Sequence, residues 1–122
     1  MRLARLDLAT LRAAVWALRA MRRTRRSLAR EGLDGTYVMP PPRLPASARR
    51  GVLAVVRRRP NTCLERALVL QRWEASHGSS ADVVIGVKGA RDGFLAHAWL
   101  ETMPDAPEDA FSELLRLPAP SC

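Results

Sequence analysis

A chain of 122 residues with 48% apolar side chains is long enough for one domain with a modest core. Two cysteines in that length exclude a disulfide-stapled secreted scaffold and suit a reducing compartment, so a cytoplasmic location is expected. The first 21 residues are basic and partly apolar, but Asp7, Arg12 and Arg19 break every apolar run, which excludes a signal peptide or a membrane span there.

The formal charge of +8 is unevenly spread. Residues 1–59 carry 15 Arg and 3 acids, a net of +12, whereas residues 60–122 carry 5 Lys or Arg and 9 acids, a net of −4. Such asymmetry marks either an Arg-rich solvated face or a surface for an anionic partner. Only Trp16 and Tyr37 lie among the basic residues, and single-strand nucleic-acid binding wants more aromatic interleaving than that. The expected partner is therefore an anionic peptide or protein, with no nucleic acid.

In chain order, Leu8, Leu11, Val15 and Leu18, flanked by Ala14 and Met21, form a helical apolar stripe behind an Asp7 cap. That helix runs on toward Ala29 and is stopped by Gly32. Gly35 to Pro45, with Pro40-Pro41-Pro42, reads as an extended connector. Ser47 to Arg58 reads as a second helix, with Val52, Val55 and Val56 facing inward. Thr62 to about Ser76 reads as a third, with Leu64, Ala67, Leu68 and Gln71 at helical spacing. His77 falls at its end. The period then changes. Ala81 to Val87 is β-branched and apolar and reads as a buried strand; Lys88 to Gly93 is a turn; Phe94 to Glu101 is the partner strand. Along it Leu95, His97, Trp99 and Glu101 share one face. The expected organisation is a basic helical region and Pro-rich connector over residues 1–46 and a core over 47–122, within one compact domain.

Cys63 is the residue that carries chemistry. Thr62-Cys63-Leu64-Glu65 fits a capping box, and Pro60 just upstream cannot continue a preceding helix. Cys63 thus falls in a first helical turn, where free N–H groups and the positive end of the helix dipole favour a thiolate, the reactive form. The same N–H groups suit an oxyanion formed when a thiolate attacks a carbonyl. Most cysteines are buried and inert, but this one is followed 34 residues later by His97, on a strand able to pack against its helix. Nucleophile and base are the pair that thiol catalysis needs. Cys122, the last residue of the sequence, reads as a free tail thiol. The two cysteines and two histidines do not have zinc-site spacing, and no cofactor is called for.

Cys63-Leu64-Glu65-Arg66-Ala67-Leu68, taken with Ile85-Gly86-Val87 and His97-Ala98-Trp99-Leu100-Glu101, resembles the lasso-peptide B proteins. These are leader peptidases, also described as the C-terminal domain of the microcin-processing protein, and their fold is similar to the transglutaminase-like, papain-like cysteine proteases. The resemblance covers roughly residues 48–117 and keeps the order nucleophile first, base second. It implies an α+β fold, with N-terminal helices followed by a small antiparallel sheet, and a Cys-His-Asp triad. Cys63 and His97 match the motif directly, and the acid is expected at Asp109. The intervening Thr102 to Pro107 departs from the family's glycine-containing turn and extra strand, so Asp105 and Glu108 remain alternatives. The resemblance further implies a precursor leader peptide as substrate, a separate small leader-recognition protein as partner, and a lasso cyclase acting downstream. Two other classes stay open: an acyl transferase with the same triad, and a basic binding module in which these residues are structural.

Overall fold

The computed structural model describes residues 7–33, 35–58, 62–90, 93–102 and 111–120. Its contacts divide the chain into two compact units, Met1–Asn61 and Thr62–Cys122.

The first unit contains helices α1 (Leu8–Glu31) and α2 (Arg49–Arg58), the latter entered through a 3-10 turn at Ala46–Ala48. Asp7 caps α1 by accepting the Thr10 N–H at 2.8 Å, which satisfies one of the free donors of the first turn. Gly32 ends the helix with φ 72° while its N–H reaches the Leu28 carbonyl, a conformation that glycine adopts without strain.

The face of α1 that packs inward is not the Leu-Val stripe anticipated from the sequence. Leu8, Leu11 and Val15 are 71%, 60% and 45% exposed, and the buried residues are Thr10, Ala13, Trp16, Ala17, Ala20, Met21 and Thr24. Close approach explains the reversal. A Cβ on Gly51 of α2 would overlap the Thr10 carbonyl oxygen and lie 3.1 Å from the Ala14 nitrogen. Helices that meet backbone to backbone need small residues at the crossing, and α1 offers alanines there. Val52 and Val56 complete the contact as expected, while Val55 is only half-buried. The connector is tied down by Trp16, whose indole N–H donates to the Met39 carbonyl at 3.1 Å.

The second unit is helix α3 (Cys63–Ala75) on an antiparallel sheet of β1 (Val83–Ala90), β2 (Gly93–Leu100) and β3 (Ser112–Leu117), in the order β2-β1-β3. The architecture is therefore α+β, helices followed by a small antiparallel sheet. Helix α3 packs on β2 and β1 and buries Ala67, Leu68, Val69, Leu70 and Trp73. Val83 and Leu100, paired across the sheet, are almost fully buried. The buried Gln71 amide donates to the Ala81 carbonyl at 3.1 Å and the Leu117 carbonyl at 2.8 Å, joining the helix to the start of β1 and the end of β3. Pairing of β1 with β2 continues to Ala90 opposite Gly93, so the strands run further into Lys88–Gly93 than the turn expected there. Strand β3 had no clear signature: Ser112-Glu113-Leu114-Leu115-Arg116-Leu117 contains no β-branched residue, and both Leu114 and Leu115 are exposed.

Candidate active site

The capping box exists as read. Glu65 N–H donates to Thr62 Oγ1 at 3.1 Å, and Thr62 N–H donates to Glu65 Oε1 at 3.2 Å. This reciprocal pair fixes the first turn of α3 and makes Cys63 its first residue, half-buried and free of any disulfide. Glu65 is almost fully buried, so its carboxylate serves the helix start and not the solvent.

What the thiol touches could not be read from sequence. Cys63 Sγ accepts the Ala98 N–H at 3.3 Å. Strand β2 is one of the two outer strands, and backbone N–H groups lie in the plane of a sheet, so α3 presents its first residue to the outer edge of β2. Ala98 directly follows His97. Cys63 and His97, together with Arg66, Leu70, Trp99 and Leu100, line one small cavity of about 70 Å³. The thiol and the imidazole thus open on the same space. They approach it around the rim of β2, because alternation along the strand gives His97 and Trp99 one face while the buried Ala98 and Leu100 take the other.

His97 is held by aromatic rings. Its imidazole stacks on Trp99, with centroids 5.8 Å apart and 23° between planes, and lies 5.6 Å from Phe111. Trp99 and Phe111 are 6.1 Å apart, which closes the trio. Gly86, opposite His97 in the register, makes room for it: a Cβ there would come within 2.9 Å of both Trp99 Cη2 and Phe111 Cβ. A glycine inside an otherwise β-branched strand is the sequence trace of such crowding. Phe111 carried no comparable signal. The register of β3 shifts between Ile85 and Gly86.

Asp109, Asp105 and Glu108 lie outside the described residues, as does Cys122. Glu101, on the His97 face of β2 by alternation, is occupied elsewhere. Its Oε2 accepts the Asp82 N–H at 2.7 Å and its Oε1 accepts from Arg116 at 3.0 Å. The backbone bond first, and Arg116 second, hold this carboxyl below the usual range. Arg116 also bridges Glu113 at 2.7 Å and Asp82 at 3.2 Å, and the three partners raise its already high pKa further. His77 has a local role: Nδ1 donates to the Trp73 carbonyl at 2.9 Å and the two rings are 4.4 Å apart, as suits a helix-end residue. Among the described residues no helix is long and apolar enough to cross a membrane.

A half-buried thiol in the first turn of a helix, bonded to the edge strand that carries a histidine, defines a thiol-centred α+β domain. Its sequence agrees: the model of the transglutaminase-like superfamily matches residues 5–116, and the chain belongs to that superfamily, which includes cysteine peptidases and acyltransferases. No curated protein and no solved structure gives a significant match to it.

Proposed function

We propose that this chain is a cysteine peptidase that removes the leader from a ribosomally made lasso-peptide precursor. Cys63 is the nucleophile, His97 the base and Asp109 the acid that orients the imidazole. The observation that carries the reading is the Ala98 N–H to Cys63 Sγ bond, because it brings the thiol beside the residue that follows His97 on β2.

In this mechanism His97 takes the proton from Cys63, and the thiolate attacks the scissile carbonyl carbon. Free N–H groups of the first α3 turn face the oxyanion that forms. The C–N bond breaks as His97 returns the proton to the leaving amine, leaving a thioester between Cys63 and the leader. Water, deprotonated by His97, then attacks the thioester and releases the leader as a carboxylic acid. The support for Asp109 is chain connectivity: Phe111, two positions later, has its ring 5.6 Å from His97. Substrate recognition is shared with a separate leader-binding protein, and the lasso cyclase acts on the freed core peptide.

The test is product chemistry. The precursor is incubated with this chain and the leader-binding protein in water enriched in oxygen-18, and the leader is read by mass spectrometry. Peptidase action puts one heavy oxygen in the leader carboxylate. A leader that leaves as an amide of an added amine, with no heavy oxygen, would instead make the chain an acyltransferase.

A further inference from the structure

The exposed Leu8, Leu11 and Val15 of α1 are not scattered surface residues. They recur at the spacing i, i+3, i+7, so they form one ridge along the helix. The ridge borders an open groove of about 560 Å³, lined by Leu11, Val15, Trp16, Met39 and Pro40–Pro42 together with Arg12 and Arg19. Its size is that of a pocket holding several side chains. All of it belongs to the first unit, away from the thiol chemistry in both sequence and function.

We propose that this groove docks an acidic amphipathic helix of a partner polypeptide. Three observations select that occupant. An apolar lining open to solvent is a site for apolar side chains. The three consecutive prolines of the lining have no backbone N–H to offer, so an extended segment cannot add to them as a strand, whereas a helix laid against the α1 ridge needs no such donors. The charge is complementary to acid: Arg12 and Arg19 stand seven residues apart, roughly 10 Å along the axis. The 15 Arg of residues 1–59 have only three acids in the same stretch, one of which, Asp7, caps α1. A second copy of this chain pairing groove to groove would set Arg12 and Arg19 against their own kind, which disfavours self-association through this face. The inference does not rest on the peptidase reading.

The probe is a fluorescein-labelled, roughly 15-residue helical peptide with Leu at i, i+3, i+4 and i+7 and Glu on either side of that stripe. Two controls accompany it: one with the same composition in scrambled order, and one with Lys for every Glu. Fluorescence anisotropy should show the acidic amphipathic peptide binding at least about tenfold tighter than either control. Leu11→Glu, at an exposed site, and the pair Arg12→Glu and Arg19→Glu should each weaken it by about tenfold or more. The pair Arg57→Glu and Arg58→Glu, exposed on α2 and outside the groove lining, should change it less than about threefold. Unchanged melting by circular dichroism separates lost binding from lost folding. Equal binding of the scrambled peptide, or equal loss in the off-groove pair, would reduce the effect to unspecific charge and overturn the proposal. Sedimentation as a dimer that Leu11→Glu dissociates would overturn it in favour of self-association.

Discussion

Each compact unit contains a glycine against which another segment is pressed, and what presses on it differs. Gly51 in α2 meets the backbone of α1 at Thr10 and Ala14, whereas Gly86 in β1 meets the Trp99 ring and the Cβ of Phe111. The first contact brings two helices together, and Leu8, Leu11 and Val15 of α1 stay outside. The second makes space for a ring cluster that holds a histidine. One unit is built around close helix packing and presents an Arg-rich apolar groove; the other is built around positioning a few side chains beside a thiol. The residues proposed to carry the chemistry and the groove proposed to dock a partner therefore lie in different units, each with its own packing constraint.

The largest effect that sharpens this contrast belongs to the second unit. Asp109→Asn should lower the rate of leader removal by orders of magnitude, toward the ~10⁴-fold seen when a triad acid is lost, while Asp105→Asn has a much smaller effect. Initial rates of precursor cleavage decide it, and a slow Asp105 variant would move the triad acid to that position.

The two glycines come next. Gly51→Ala gains about 1 kcal/mol of helix propensity but drives a methyl group into rigid backbone, so a net loss of about 2 kcal/mol is expected. Gly86→Ala meets a ring edge that can shift, and about 1 kcal/mol is expected. Its larger consequence is catalytic, because Trp99 and Phe111 are the rings against which His97 lies. Urea unfolding and cleavage rates together separate the two variants. If Gly51→Ala lowers activity at unchanged stability, the division of roles between the units fails.

A smaller change tests the start of α3. Thr62→Ala removes the acceptor for the Glu65 N–H, while the backbone N–H of residue 62 can still donate to Glu65 Oε1, so half of the capping box is lost. About 1 kcal/mol should be lost in urea unfolding, accompanied by slower cleavage because Cys63 is the next residue.

The smallest effect concerns acid. The Glu101 carboxyl is held low by the Asp82 N–H and by Arg116, so its contribution to stability is fully present above the pKa of the unfolded chain. It is lost as pH falls through the lower folded value, in the acid range beneath 4.5. Glu101→Gln should flatten the fall of the urea midpoint between about pH 6 and pH 3. An unchanged slope would assign that fall to other carboxylates.

Much of this was legible in the sequence where local chemistry decides it. The Asp7 cap, the Gly32 stop, the Thr62–Glu65 box and the first two strands rest on short-range rules, and each is present. The inward face of α1 was misread because hydrophobicity alone ranks Leu above Ala, whereas the Gly51 crossing selects for size. Strand β3 escaped because its leucines are exposed and its pairing is offset by a register shift beside Gly86. Cys63 stood out through its cap, but its partner on β2 is a backbone N–H, and a backbone group leaves no mark on a sequence.

The central claim is that Cys63 is the nucleophile. Its most direct test is mass spectrometry of the precursor after incubation with the leader-binding protein and either the wild-type chain or Cys63→Ala. The wild type should release the leader, and the alanine variant, with unchanged melting, should release none. Leader release by Cys63→Ala at the wild-type rate would contradict a thiol mechanism.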